Sequence, residues 1–335
     1  MSMEDDYIAI KSVNAFEFKI VYDELKRKGI LVAANTIRKY QYQGWMSTVF
    51  TVESNIGLLI ILVSQLIKEH RRNKVWEKFS VLANLFKLHP EIPTAEIYSA
   101  GLKGEVFILV QSFLNGSRAG KRVLNKNVII DEWRADREVV IKQLLTVVAK
   151  IHKVKIEGFG WPIKYRHKLK GSHNSWKSFF QKEVSLWIQS VRQAEKRISK
   201  ERLSIERLKS FSQKITKQVQ DIKTATLIHG DAINPSNIII NRAGKIYLLD
   251  WEWAIAGDPA WEFCDLGWWP FLNLDTFSSY FDTQGIITLS ERKAFLTRVN
   301  LYIPFWLLWG MHMHANDDKL EIYLALRSLL IERMK

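Results

Sequence analysis

The chain has one cysteine, Cys264, in 335 residues, which excludes a disulfide framework and any metal site built from several thiolates. No apolar run approaches the roughly 20 residues needed to span a bilayer; the two most apolar, Ile56–Val63 and Leu301–Met311, are far shorter. The opening Met1–Tyr7 is acidic, where a secretory leader is basic and then apolar. There is no internal repeat and no low-complexity tract. The expectation from these absences is a soluble, cytoplasmic protein.

Hydrophobic residues are plentiful at 47%, enough for a sizeable core and too many for a disordered chain. The length suggests two domains, or one domain in two lobes. Lys and Arg number 49 against 35 Asp and Glu, a net charge of +14. The bases cluster at Lys68–Lys78, Lys164–Lys170 and Arg192–Lys223. No nucleic-acid-binding motif accompanies them, so solvated basic faces are the preferred reading. One segment opposes the trend. His229–Asp265 holds six acids (Asp231, Asp250, Glu252, Asp258, Glu262, Asp265) and two bases (Arg242, Lys245), a composition suited to holding cations.

The pattern predicts strands over Asn35–Gln43, Ser47–Ser54 and Leu58–Val63, with Asn55-Ile56-Gly57 as a turn. A helix follows over Glu69–Phe86, its face marked by Val75, Phe79, Leu82 and Phe86. Two more strands are expected, at Glu96–Ser99 and Val106–Phe113. After Gly116 the pattern turns helical: Asp131–Val154, Trp176–Ile198 and Ile205–Ile222. Short strands over Thr226–Leu249 interrupt it, and helices resume to the end. The expected class is α+β. Residues 1–112 form a small β-sheet-plus-helix lobe, with an N-terminal helical extension to about 34. Residues 113–335 form a larger, mainly helical lobe, and the site lies in the cleft between them.

The strongest chemical signal is Leu227–Ile240. An apolar strand delivers Asp231 into a short polar loop, and a second apolar strand leaves it. Asp250 ends the next apolar run, Ile246–Leu249, so a hairpin would set Asn237 and Asp250 side by side at one end of two strands. A carboxylate and an amide oxygen are hard ligands suited to Mg²⁺, which takes few protein oxygens. Asp231 beside them would accept a proton from a hydroxyl. Metal on the phosphates and a base on the nucleophile are what phosphoryl transfer needs.

His229-Gly230-Asp231 with Asn237, then Leu248–Ala254 and Gly257–Leu266, resemble the aminoglycoside phosphotransferase and choline kinase family, whose fold is protein-kinase-like. Leu144–His152 with Gly158-Phe159-Gly160, the loop Gly44–Phe50 and the strand Val106–Phe113 extend the resemblance over about residues 35–270. It implies Asp231 as catalytic base, with Asn237 and Asp250 on Mg²⁺. His229, Asp258 and Asp265 would support the loop. The backbone of Gln111, Ser112 and Phe113 would meet the base of ATP or GTP, with Gly44–Ser47 over its phosphates. The acceptor would be a hydroxyl of an amino alcohol, aminoglycoside or sugar-like molecule. Separately from the resemblance, aromatic faces near acids can hold protonated amines, which makes Glu252, Trp268 and Trp269 candidate substrate contacts.

Three positions depart from the family pattern. Asn237 stands six residues after Asp231 instead of five, which leaves Asn234 as an alternative ligand. Leu62 occupies the place of a phosphate-binding Lys or Arg, and no base occurs between Gly57 and Lys68; Lys39 or Lys68 would have to substitute. The covering loop has one glycine, Gly44, beside Trp45 and Met46. The alternative is therefore a catalytically degenerate kinase fold that binds partners. A protein kinase is disfavoured, since Asp250-Trp251-Glu252 stands for Asp-Phe-Gly and no Ala-Pro-Glu follows. Met311–His314 puts its two histidines on different helix faces, and Cys264 lies in an apolar stretch, so neither marks a site.

Overall fold

Asn55-Ile56-Gly57 closes a tight hairpin because Gly57 adopts φ of 110°, a region that side chains disfavour. Strands β2 (Ser47–Ser54) and β3 (Gly57–Gln65) then pair in continuous antiparallel register from Ser54↔Gly57 to Ser47↔Ser64. The computed structural model describes residues 15–33, 36–40, 47–65, 75–125, 128–166, 168–198, 202–316 and 320–335. These divide into two compact units: Met1–Gly116 with Ile163–Leu169, and Ser117–Pro162 with Lys170–Lys335.

In the first unit, β1 (Arg38–Lys39), β4 (Ile97–Lys103) and β5 (Val106–Ser112) complete a five-stranded sheet ordered β1-β2-β3-β5-β4. Helix α1 (Ala15–Arg27) covers one face: Ile20, Val21 and Leu25 pack with Phe50, Val52, Leu59, Ile61, Ile108 and Val110. Helix α2 (Val75–Leu88) covers the other. The Phe79 ring lies 5.7 Å from Phe107, which stands opposite Ser64, while Leu62 stands opposite Leu109. Residues opposite one another across a ladder share a face, so Leu62 lies on the α2 side. The buried face of α2 also carries Lys78, only 1% exposed. Lys39 stands opposite Phe50, on the α1 side, which argues against its replacing a base at position 62. Lys68 and Gly44 lie outside the described residues.

The second unit contains the correction to the expected helical start. After the short β6 (Gly116–Arg118), and instead of a helix from Asp131, a two-stranded sheet, β7 (Gly120–Asn125) and β8 (Val128–Trp133), pairs from Gly120↔Trp133 to Asn125↔Val128. The helix, α3 (Arg137–Ile151), begins only after Asp136, whose carboxylate accepts the N–H groups of Glu138 and Val139. That cap fixes the start. Strands β10 (Phe159–Tyr165) and β11 (Lys168–His173) are likewise additions. Helices α4 (Trp176–Glu195) and α5 (Ile205–Gln218) match the expected segments closely. A five-stranded sheet of order β11-β10-β15-β12-β9 supports the loop that follows β12 (Ala225–Ile228), with β9 at Lys155–Ile156 and β15 at Ile255–Gly257. Behind it, rings of α4 pack on α7 (Leu289–Met313), which follows α6 (Ser278–Gln284) in the chain, Phe180 lying 4.4 Å from Phe305. No helix among the described residues is long and apolar enough to cross a membrane.

Candidate active site

Strand β12 is buried at all four positions and pairs on both sides, with β15 through Leu227↔Ala256 and with β9 through Thr226↔Lys155. It delivers a rigid end to the loop His229–Asn234. Gly230 turns that loop at φ of 87°, and a Cβ there would come within 2.5 Å of the Trp253 carbonyl oxygen. Only glycine fits. The loop hangs on a buried carboxylate: Glu262 accepts the backbone N–H of His229 at 2.7 Å, of Gly230 at 3.2 Å and of Ala232 at 3.4 Å. Burial alone would raise its pKa. The His152 contact and the Gly230 N–H outweigh that and hold it below the usual carboxylate value.

The loop then places its polar groups. His229 donates through Nε2 to the Leu249 carbonyl at 2.9 Å and accepts the Asp231 N–H at Nδ1. Asp231 Oδ2 accepts the amide nitrogens of Asn237 at 2.7 Å and Asn234 at 3.1 Å. The Asn234 oxygen is spent on the Ser236 N–H, as cap of the short 3₁₀ turn Pro235–Asn237. That turn accommodates the sixth residue in the spacing. Strands β13 (Ile238–Asn241) and β14 (Ile246–Leu248) pair through Ile238↔Leu248, and the Leu249 N–H reaches the Asn237 carbonyl at 2.8 Å. Asp250 therefore comes next to Asn237. Its backbone is left-handed at φ of 66°, and the residue is exposed.

A cation completes the group. Arg122, on β7, binds Asp131 and Asp265 and lies 3.5 Å from Asp231 Oδ1. Burial, with the Asp265 charge adding to it, pushes Asp231 up to about 7, against the pull of Arg122 and the two amides. Burial alone would lower the Arg122 pKa, but the charges and hydrogen bonds of Asp265 and Asp131 outweigh it and hold the guanidinium well above its ordinary value.

A family profile described as the phosphotransferase enzyme family, APH, matches residues 79–295, about two-thirds of the chain. The chain belongs to this family. No curated protein matches it in sequence. Several solved structures share the fold of this family member. A protein assigned as a fructosamine-3-kinase from Haemophilus somnus 129PT is 14% identical, with a TM-score of 0.61 over 94% of this chain and 96% of that one. The aminoglycoside phosphotransferase APH(4)-Ia, a thermostable mutant in ternary complex with AMP-PNP and hygromycin B, is 14% identical, with a TM-score of 0.58 over 93% and 97%. Macrolide 2'-phosphotransferase type I is 13% identical, with a TM-score of 0.58 over 96% and 99%. At these identities the likeness is one of fold, and that fold is the kinase-like α+β class expected from the sequence.

Within this phosphotransferase fold, Asp231, Asn234, Asn237, Asp250 and His229 come together as the hairpin spacing anticipates. Asp265 reaches the group through Arg122. Asp258 does not: it accepts from the Ala260 N–H, Arg298 and Tyr302, bracing its own turn against α7 and not the 229–237 loop. Trp268 is fully buried against Phe263 and Phe277 and presents no surface to a substrate. Trp269 donates its indole N–H to the Cys264 carbonyl and carries Arg333 over its ring; Glu252 is half-buried. Ser47 opens β2. The N–H groups of Ser112 and Phe113 are already donated to the Glu96 and Leu58 carbonyls, so neither can be the donor to a nucleotide base. Sequence reasoning missed Glu262, Arg122 and Asp131. The β-branched run Val128-Ile129-Ile130 after Lys126-Asn127 was the available hairpin signal.

Proposed function

We propose that this chain transfers the γ-phosphoryl group of ATP or GTP to a hydroxyl of a small molecule, with Mg²⁺. The supporting observation is the Asp231 carboxylate, oriented by two amide donors and adjoining the strand end that carries Asp250. Asp231 serves as base. As the acceptor oxygen bonds to the γ-phosphorus, the bond from that phosphorus to the β–γ bridging oxygen breaks. The bonding pair leaves with the nucleoside diphosphate, and the hydroxyl proton passes to Asp231. A carboxylate whose pKa lies near neutrality suits that exchange.

The donor set fits Mg²⁺. Asn237 commits its amide nitrogen to Asp231 and has its oxygen to offer, whereas the Asn234 oxygen is a cap. Asp250 supplies the carboxylate, and two hard oxygens with phosphate and water are what this ion takes. When bound, it would neutralise the phosphate oxygens. Glu252 and Trp269 are proposed to border the acceptor. The bound hygromycin B of APH(4)-Ia keeps an aminoglycoside in view, but the +14 charge repels a polycation at long range and favours an amino alcohol or sugar-like acceptor. The Gly44–Ser47 loop over the phosphates and a base contact near Gln111 carry over from the family resemblance.

Leu62 favours a second reading, a binding protein without catalysis. Calorimetric titration of ATP and GTP, with and without Mg²⁺, into wild type and Asp250→Ala separates the two. Metal-dependent binding lost in the variant is the expected result. No binding to wild type at millimolar nucleotide would refute the phosphotransfer reading.

A further inference from the structure

We propose that Arg122 is a positioning residue of the phosphotransfer site, holding the Asp231 carboxylate so that Oδ1 faces the acceptor hydroxyl. The inference rests on the function proposed above and adds a residue on a separate hairpin.

A guanidinium has five N–H donors in one plane. Four are spent. Nε and Nη2 bind the two oxygens of Asp131 at 2.7 and 3.0 Å; Nη2 and Nη1 bind those of Asp265 at 2.7 and 2.8 Å. Two bidentate carboxylates on adjacent edges fix the plane against rotation. The fifth N–H is on Nη1, the atom 3.5 Å from Asp231 Oδ1. That separation is an ion pair, too long for a hydrogen bond, so Oδ1 keeps its capacity to accept while Oδ2 is occupied by Asn234 and Asn237. Two amide donors from the loop and one guanidinium from the β7 hairpin thus set one carboxylate plane.

The hairpin that carries Arg122 is tied to the same loop by its backbone. The Arg122 N–H reaches Ser236 Oγ at 3.2 Å, and the Ala119 N–H reaches the Ile238 carbonyl at 2.8 Å. The guanidinium therefore shares a frame with Asp231. Asp265 in turn accepts the Gly267 N–H at 2.8 Å, which fixes it independently of the arginine. A latch that merely joined the hairpin to the rest of the unit would not need a guanidinium nitrogen 3.5 Å from Asp231 Oδ1. Its loss would lower stability and nucleotide affinity together.

The test measures ATP turnover with water, ethanolamine and glucosamine as acceptors, and the affinity for Mg-AMP-PNP, in wild type, Asp231→Asn, Arg122→Gln, Arg122→Lys and Asp131→Asn. Arg122→Gln should lower kcat about 100-fold, the scale of a small misplacement of a reacting group, with KM for ATP and AMP-PNP affinity within about threefold. Arg122→Lys keeps the charge without the planar fork and should recover part of the loss. If Arg122→Gln does not fold, Asp131→Asn decides, since it frees the guanidinium on one edge and should lower kcat about tenfold with binding intact. Near-wild-type kcat in a folded Arg122→Gln, or in Asp131→Asn should the first variant not fold, while Asp231→Asn is inactive, overturns this role alone. So does an equal loss of kcat and AMP-PNP affinity. A wild type that does not bind AMP-PNP, or binds it without turnover on any acceptor, refutes the phosphotransfer reading and this role with it.

Discussion

Replacing Glu262 by Gln tests whether the candidate catalytic loop owes its shape to one buried carboxylate. Its Oε2 accepts the His229 N–H at 2.7 Å, and Oε1 accepts Gly230 at 3.2 Å and Ala232 at 3.4 Å. Gln retains one oxygen, and the short His229 bond is the one it would keep, now to a neutral acceptor. Its NH₂ group would face the Gly230 and Ala232 donors. A hydrogen bond to a charged group contributes about 1.5–3 kcal/mol. Losing the charge on the His229 bond, the partner of Ala232 and the nearer of the two oxygens that Gly230 reaches gives roughly 2–4 kcal/mol. Against a total of about 5–15 kcal/mol, the variant should fold and show a lowered urea midpoint. The displaced loop should cost about 100-fold in ATP turnover. Alanine would strip all three donors and is not informative. A Gln variant within about 0.5 kcal/mol of wild type and fully active would refute the reasoning, because the loop would then hold its shape without the carboxylate.

The same group predicts an acid dependence. Since the folded Glu262 pKa lies below its ordinary 4.5, its contribution is fully present above that pH and is lost as pH falls through the depressed value; urea midpoints of wild type and Glu262→Gln should converge in acid. Asp250→Asn, in which Asn tolerates the left-handed backbone, should abolish the Mg²⁺ dependence of nucleotide binding in calorimetry. Gly230→Ala, strained at φ of 87° and 2.5 Å from the Trp253 carbonyl oxygen, should lose at least about 2 kcal/mol by urea unfolding.

What was legible in the sequence was local. Asn237 and Asp250 could be placed side by side because two apolar strands and a turn determine a hairpin register, and the structure pairs Ile238 with Leu248. The β2–β3 hairpin was legible for the same reason. Arg122 and Glu262 were not, since both act on Asp231 or its loop across more than 30 residues, and nothing in a window around either points to a partner. Asp131 was absorbed into the apolar period of the helix that follows it, whereas the Asp136 cap starts that helix only at Arg137. Trp268 looked like a substrate contact because it is an aromatic near acids. Burial is a property of the packed unit, and the ring lies among Phe263 and Phe277.

The two faces of the first unit's sheet bear on what a base at position 62 would meet. Leu62 shares the α2 side with Lys78, a lysine 1% exposed. A lysine introduced at 62 would therefore enter the face whose covering helix already brings one cation out of water, a different setting from that of a lone strand lysine.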